Sequence, residues 1–499
     1  MMQPWGEVRI TRSLWARLDE VLLTDRTVET KCFMLCRVLE LPGRTVFLVR
    51  ELIEVPPEGY EERSASRVIT RREFVHQLLT RCANEGLSLL EAHSHPWAPR
   101  PRFSAIDHRS DYQKFLATER LSPPFRHGTL VFGSDMSFDG HMWDYLHQQI
   151  VPIERICIVG IPYEARYIVG GAPPELDKAQ QELYDRQVRA LGAAGQAILS
   201  NLRVALVGAG GLGSQMAQAL TLLGVGEIVL IDPDRLELSN LNRVVGATWA
   251  RACRRWRKVK ALAQSLNRTR PPDSPAIIPL AQDARVPDLL PVLLECDLLI
   301  GAVDSATVRQ YLNLVAVCAL KPYLDAGVGI RAESGRIVQG GGQVQVVLPG
   351  ETACLACVGH LVRQSVEEQL TPEQRAMSIQ HGYIQGERIP NPQVVFLNGV
   401  VANLLAWEFV KLCTGCLPVQ PYVYYDLVNQ QVFPALAERH PDCFLCSEQE
   451  GSLLATGLEG ICGFLTPARR SPPPAPRPRS QPVPPDSFNP SDMSDPSNC

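Results

Sequence analysis

The spacing of apolar and polar residues divides the chain before any chemistry is considered. Cys32–Leu39, Thr45–Val55 and Leu130–Phe132 read as strands, and Trp15–Leu23 places its apolar positions on one helical face. Arg71–Glu85 and Asp107–Leu121 read as further helices, so residues 1–160 form one unit. Gly170-Gly171-Ala-Pro-Pro marks a linker, 161–180. From 181 the pattern alternates. Strands are predicted at Val204–Val207, Ile228–Ile231, Ala276–Pro279 and Leu298–Gly301, with helices at Gly213–Leu223, Lys258–Asn267 and Ala306–Ala319. Such alternation predicts a mostly parallel, Rossmann-like sheet covered on both faces, over residues 181–463 of an α/β protein. Val394–Leu412 is strongly apolar but carries Asn398, Asn403, Glu408 and Lys411, which predicts a buried helix rather than a membrane span. The stretch 464–499, rich in Pro and Ser, has too few large apolar residues to offset its ordering entropy and reads as disordered.

Composition changes this picture little. A chain of 499 residues accommodates two or three domains, and a net charge of −4 gives no reason to expect nucleic acid or a membrane surface as partner. The N-terminus has no basic segment followed by an apolar run, so no secretory signal is expected there. Fifteen cysteines without an export signal argue against a disulfide framework, and several fall in Cys-x-x-Cys pairs. Metal is the expected reason and the cytoplasm the expected location.

The clearest motif is Val204-Ala-Leu-Val-Gly-Ala-Gly-Gly-Leu-Gly213, followed by Ile-Val-Leu-Ile-Asp232. Gly208, Gly210, Gly211 and Gly213 come directly after an apolar strand and open a helix. Glycine lets the backbone turn tightly against a phosphate, and the helix N-terminus favours negative charge. Asp232, at the next strand's end, is placed to bond ribose hydroxyls, with Asp234 close behind. The residues that follow, Ser239-Asn240-Leu-Asn242-Arg243, Lys258 and Val303-Asp304-Ser305, exceed what hydride transfer needs. Arg243 and Lys258 suit a triphosphate losing pyrophosphate, and Asp304 suits magnesium.

This ordered set, with Tyr184-Asp-Arg186-Gln187 at its entrance, resembles the ThiF/MoeB-type adenylyltransferases, relatives of the ubiquitin-activating enzymes, over about residues 181–450. The resemblance implies adenylation of the C-terminal glycine of a ubiquitin-like or sulfur-carrier protein ending in Gly-Gly. It also implies a homodimer in which Arg186 reaches the partner's ATP. A conjugating-type or sulfur-transfer protein would act downstream. The ubiquitin-activating branch uses a thioester cysteine, but Val358–Gln393 contains none; Cys318, Cys413 and Cys416 remain as candidates.

Two knuckles, Cys354-Leu-Ala-Cys357 and Cys443-Phe-Leu-Cys446, supply four thiolates, which saturate zinc and leave no open position. The same resemblance places its structural zinc at these pairs. Cys413-Thr-Gly-Cys416 is a third pair that competes.

A second constellation lies near the front: His93-Ser-His95-Pro, then Ser104-Ala-Ile-Asp107. His93, His95 and Asp107 offer three ligands, leaving a fourth position on zinc for water. Ser104, one helical turn before Asp107, is placed to stabilise an oxyanion. Over residues 8–155 this resembles the JAB/MPN metalloproteases with the JAMM motif, which remove ubiquitin-like proteins. That family requires an upstream glutamate as general base. Glu29 fits best, and Glu51 and Glu54 are alternatives.

Together these features predict one polypeptide that spends ATP on a carrier's C-terminal glycine and hydrolyses (iso)peptide bonds at the same tail. The competing reading is adenylation of a peptide or tRNA-linked substrate beside an accessory or decayed JAB scaffold.

Overall fold

The computed structural model describes residues 4–103, 107–109, 111–115, 126–145, 147–171, 175–271, 274–275, 277–359, 371 and 392–465. The chain divides into a unit Met1–Ile461 and a unit Cys462–Cys499, of which only 462–465 are described, as the end of the helix Gly457–Leu465. The expected boundary at 463/464 therefore falls inside a helix, and the rest of the expected tail lies outside the described residues.

The front of the chain forms one eight-stranded sheet from β1 (Trp5–Thr11), β2 (Lys31–Leu41), β3 (Arg44–Glu54), β6 (Ser88–Ser94), β7 (Gly128–Phe132), β8 (Phe138–Asp144), β9 (Gln149–Val159) and β10 (Glu164–Tyr167). The order is β1-β3-β2-β6-β7-β8-β9-β10, and β1 also pairs with β9, which curls the sheet back on itself. A hairpin of β4 (Tyr60–Arg63) and β5 (Val68–Thr70) stands apart from it. Helix α1 (Arg12–Leu23) buries Trp15, Leu18 and Leu22 against the sheet; α2 is Arg72–Glu85. Residues 107–109 and 111–115 are helical as expected, and 116–121 lie outside the described residues. Strand β10 falls within the expected linker and extends the front unit to Tyr167.

The second sheet runs β13-β12-β11-β14-β15-β16-β17-β18, from β11 (Arg203–Val207), β12 (Glu227–Ile231), β13 (Ile278–Leu280), β14 (Leu298–Gly301), β15 (Tyr323–Glu333), β16 (Arg336–Val347), β17 (Tyr422–Asp426) and β18 (Gln431–Pro434). Pairs from β13 to β15 are parallel, as the alternation predicts. From β15 onward every pair is antiparallel, so the sheet is mixed, with four parallel pairs and three antiparallel ones among the described residues. The reason is local. Ser334 and Gly335 both take the left-handed conformation and turn β15 back into β16, and a turn that short permits only antiparallel pairing.

Helices α3 (Asp185–Asn201), α4 (Gly211–Leu222), α5 (Lys258–Asn267), α6 (Ala306–Cys318) and α7 (Val395–Thr414) surround this sheet. Helix α7 is long and apolar enough to cross a membrane, yet it packs against α4, α3, β15 and β16. Its charges are resolved internally: Lys411 Nζ lies 2.7 Å from Glu408 Oε1, and Gln420 N donates to Glu408 Oε2 at 2.9 Å.

The two sheets share one hydrophobic core. Leu39, Val46, Leu48 and Val159 of the first are fully buried in the same cluster as Val204, Leu206, Ile228 and Ile300 of the second. A charged seam runs alongside. Arg155 Nη2 lies 3.1 Å from Asp297 Oδ1, Arg9 Nη1 donates to Ala319 O at 2.9 Å, and Arg44 Nη2 donates to Glu295 O at 3.2 Å.

Candidate functional site

The parallel strands place the Gly-rich turn where an open α/β sheet binds ligands. β11 has β12 on one side and β14 on the other, so the chain reverses its direction of progress there. A cavity of about 410 Å³ opens at the carboxyl ends of these strands. Gly208, Gly210, Gly211, Asp232, Asp234, Asn240, Arg243, Lys258 and Asp304 all line it. Residues spread over nearly a hundred positions thus converge as expected.

Local contacts explain the convergence. Gly208 has φ of 101°, and a Cβ there would lie 2.4 Å from Ala302 O, so only glycine fits this approach of β11 to β14. Asp232 is buried; its carboxylate accepts from the N–H groups of Ala209 at 2.7 Å and Asp234 at 2.8 Å, which braces the turn. Burial nevertheless moves its carboxyl upward, against the opposing pull of Lys258. Lys258 Nζ lies 2.7 Å from Asp234 Oδ2, and Asn240 Oδ1 accepts from Glu237 N at 3.0 Å. Arg243 Nε donates to Gln393 Oε1 at 3.1 Å.

Three expected residues stand apart from the lining. Gly213 is a packing glycine: a Cβ would lie 2.0 Å from Gly208 O, so α4 can sit this close to β11 only without a side chain. Asn242 accepts from Arg243 Nη1 at 3.1 Å and orients it. Arg186 is exposed near the start of α3, outside this chain's own cavity. The lining also contains residues that the motif did not reveal: Asp283, Arg285, Arg309, Gln393 and Asn398. Arg309 Nε donates to Asp325 Oδ1 at 2.9 Å, both side chains buried. Only the fold brings these to the site. Ser305, in the motif beside Asp304, caps α6 by accepting from Val308 N.

The two knuckles meet as the spacing predicts. Sγ–Sγ distances are 3.8 Å for Cys354–Cys357, 3.8 Å for Cys354–Cys443 and 3.5 Å for Cys357–Cys446. A tetrahedral zinc with bonds of about 2.3 Å holds its sulfurs about 3.8 Å apart, so the four thiols fit the ion. Cys413 and Cys416 join no metal-sized cluster among the described residues. Cys413 is buried, and burial raises its thiol; burial also raises Cys318, to about 11. Neither they nor Cys416 line the cavity.

The second constellation also assembles. One ligand atom each from His93, His95 and Asp107 lies within 4.8 Å of the others. β6 carries His93 opposite Lys31 of β2, and Thr30 and Ser94 lock the strand ends together through Thr30 N to Ser94 Oγ at 3.0 Å and Ser94 N to Thr30 O at 2.9 Å. This register brings Glu29 to the cluster, with Oε1 3.6 Å from His95 Nε2. Burial, then the nearby Asp107 carboxylate, raises Glu29 to about 7. Glu51 and Glu54 are tied elsewhere, to Arg81 and Arg17. Burial lowers His93 to about 3 and also lowers His95, a shift toward the neutral imidazole that ligation requires. His93 Nδ1 is buried with no hydrogen-bond partner, an orphan that a metal would satisfy. Ser104 lies outside the described residues.

Comparison with known proteins bears on the second sheet's half. The ThiF family model matches residues 184–445. Adenylyltransferase and sulfurtransferase MOCS3 of Sus scrofa is 29% identical over 302 residues, covering 59% of this chain and 60% of that protein. Ubiquitin-like modifier-activating enzyme 5 of Gallus gallus is 27% identical over 252 residues, covering 48% and 57%. Molybdopterin-synthase adenylyltransferase of Escherichia coli strain K12 is 29% identical over 280 residues, covering 55% and 99%. The chain thus spans about three fifths of the length of the first two.

Proposed function

Because this chain belongs to the ThiF family, we propose that its cavity binds ATP and adenylates the C-terminal glycine of a ubiquitin-like or sulfur-carrier protein. The observation that carries this is the meeting, in one cavity, of a glycine turn at a helix N-terminus with Arg243, Lys258 and Asp304. In the reaction a carboxylate oxygen of the tail attacks the α-phosphorus. The bond to the β-phosphate's bridging oxygen breaks, and pyrophosphate leaves with the electron pair. Arg243 and Lys258 neutralise the departing charge, and Asp304 is the residue to hold magnesium, whose chemistry is charge neutralisation at the phosphates. The relatives' names support a carrier-protein substrate; a peptide or tRNA-linked acid is the alternative. Pyrophosphate exchange that requires a Gly-Gly-terminated carrier tests the reading, and exchange with a tRNA-linked acid alone would replace it.

A homodimer is part of the same proposal. Phe396, Val400 and Trp407 form an exposed apolar stripe on α7, and Arg186 is exposed, as a residue that serves a partner's ATP must be. Mixing inactive Arg186→Ala and Asp304→Ala proteins should restore exchange, because hybrid dimers contain one intact site. A conjugating-type or sulfur-transfer protein is the expected next partner. No disulfide joins the described cysteines, and the cytoplasm is the proposed location.

A second reading rests on the convergence of His93, His95, Asp107 and Glu29. We propose a JAB/MPN-type zinc hydrolase that cuts the (iso)peptide bond at a carrier's tail. His93, His95 and Asp107 are the ligand set for a zinc, which when bound supplies an acidified water. Glu29 takes and returns the proton, and Ser104 steadies the developing oxyanion. Cleavage of a fluorogenic Gly-Gly amide that disappears on zinc removal and returns with zinc tests this. Cleavage that survives chelation would overturn it.

A further inference from the structure

The lining of the nucleotide cavity divides by charge. Asp232, Asp234, Arg243, Lys258, Asp283 and Asp304 gather around the ends of β11, β12 and β14. The remaining lining, from β15 and the start of α7, offers Ala326, Gly327, Val328, Gln393 and Asn398, and the guanidinium beside Gly327, Arg309, is already paired with Asp325. A triphosphate belongs to the first wall. The second wall suits a neutral, extended chain.

Asn398 is the informative residue of that wall. It is fully buried, and neither Oδ1 nor Nδ2 has a hydrogen-bond partner among the described residues. The carboxamide lies over the glycine turn, since a Cβ on Gly211 would fall 2.2 Å from Nδ2. Its main chain is committed to the helix through the Asn398 N–H to Val394 O bond. A buried donor and acceptor left unpaired carry a desolvation cost that nothing among the described residues offsets. A phosphate or carboxylate oxygen only accepts; it would satisfy Nδ2 and strand Oδ1. A main-chain peptide group presents both N–H and C=O and satisfies both.

We propose that Asn398 reads the acyl substrate through its backbone. Oδ1 accepts from, and Nδ2 donates to, peptide groups of the C-terminal tail, holding the terminal carboxylate toward the α-phosphate. This rests on the adenylation reading above. It makes recognition of the tail independent of side chains next to the carboxylate, as a run of glycines requires.

The test is pyrophosphate exchange with a synthetic peptide ending in Gly-Gly and with the same peptide N-methylated at its last peptide bond. Wild type and Asn398→Leu are compared, and nucleotide affinity is measured separately with α,β-methylene ATP. Asn398→Leu should raise the peptide KM about 10- to 100-fold while the nucleotide Kd moves less than about twofold. It should melt no lower than wild type, because no bond is lost. N-methylation should cost wild type a similar factor and cost the variant less than about threefold. A loss of nucleotide affinity of about 10-fold or more would assign Asn398 to the nucleotide instead. Equal costs of methylation in both proteins would remove the pairing while leaving adenylation in place. The wild-type arm of the methylation test stands without the variant: an N-methyl cost below about threefold in wild type would overturn the pairing even where Asn398→Leu misfolds. Absence of exchange by wild type with either peptide would sink the adenylation reading and this role with it.

Discussion

At the scale of single residues, the two sites make separable predictions. Asp304→Ala should abolish pyrophosphate exchange and leave amide cleavage intact; normal exchange would remove Asp304 from the phosphate site. Glu29→Ala should retain zinc by metal analysis and lose about 100- to 10,000-fold in cleavage rate, the usual contribution of a general base. Glu51→Ala should cleave normally, because Glu51 is held by Arg81 away from the cluster. Loss of cleavage in that variant instead would transfer the base to Glu51. What was legible at this scale is what sits inside continuous motifs. Gly208, Asp232 and Asp304 could be named because each follows a strand end that the hydrophobic pattern also marks, and Arg243 because it closes the motif from Ser239. Asp283, Arg309 and Asn398 could not. Their places depend on how β13, α6 and α7 are laid against β11, and pairing of distant strands leaves no trace in local spacing.

At the scale of elements, the close fit of helix to strand is the vulnerable feature. Gly213→Ala inserts a methyl 2.0 Å from Gly208 O, backbone that has no freedom to yield. Helix α4 must shift, and nucleotide affinity should fall at least about tenfold with the zinc knuckles untouched. Unchanged nucleotide affinity in calorimetry would show that the helix has more slack than this. Cys443→Ser should release one zinc and lower the melting temperature, since closing such a site supplies about 10–16 kcal/mol of apparent binding energy. Full zinc occupancy after that change would return attention to Cys413 and Cys416. Several elements matched the hydrophobic pattern closely, Lys258–Asn267 and Leu298–Gly301 among them. The antiparallel half of the second sheet was missed. Its ribbon, β15–β16, alternates weakly because glycines and exposed residues interrupt it, and only Ser334-Gly335 signals the reversal.

At the scale of the whole molecule, the seam between the sheets carries the prediction. Glu7 is fully buried. Burial alone would raise its carboxyl, but the guanidiniums of Arg155, Arg9 and Arg44 overcome this and hold it well below the usual carboxylate range. Glu7→Gln leaves those cations buried and short of an anion, and should cost about 3–5 kcal/mol at neutral pH. A folded pKa below the unfolded one gives stability that is complete above the unfolded value, about 4.3, and is lost as pH falls through the folded value. The gap in melting temperature between wild type and Glu7→Gln should therefore be constant above about pH 5 and narrow progressively in stronger acid. A gap that widens in acid would contradict the assignment. The motifs gave no hint of this seam, because each lies within one half and the spacing of a motif says nothing about what packs beneath it. Leu39, Val46 and Leu48 nevertheless fill the floor under the nucleotide sheet. A lesion in β3 should thus silence the proposed adenylation as surely as the proposed cleavage, and one dosage would govern both. Selection for either proposed activity would guard the fold of both, and the two would be inherited as a single trait.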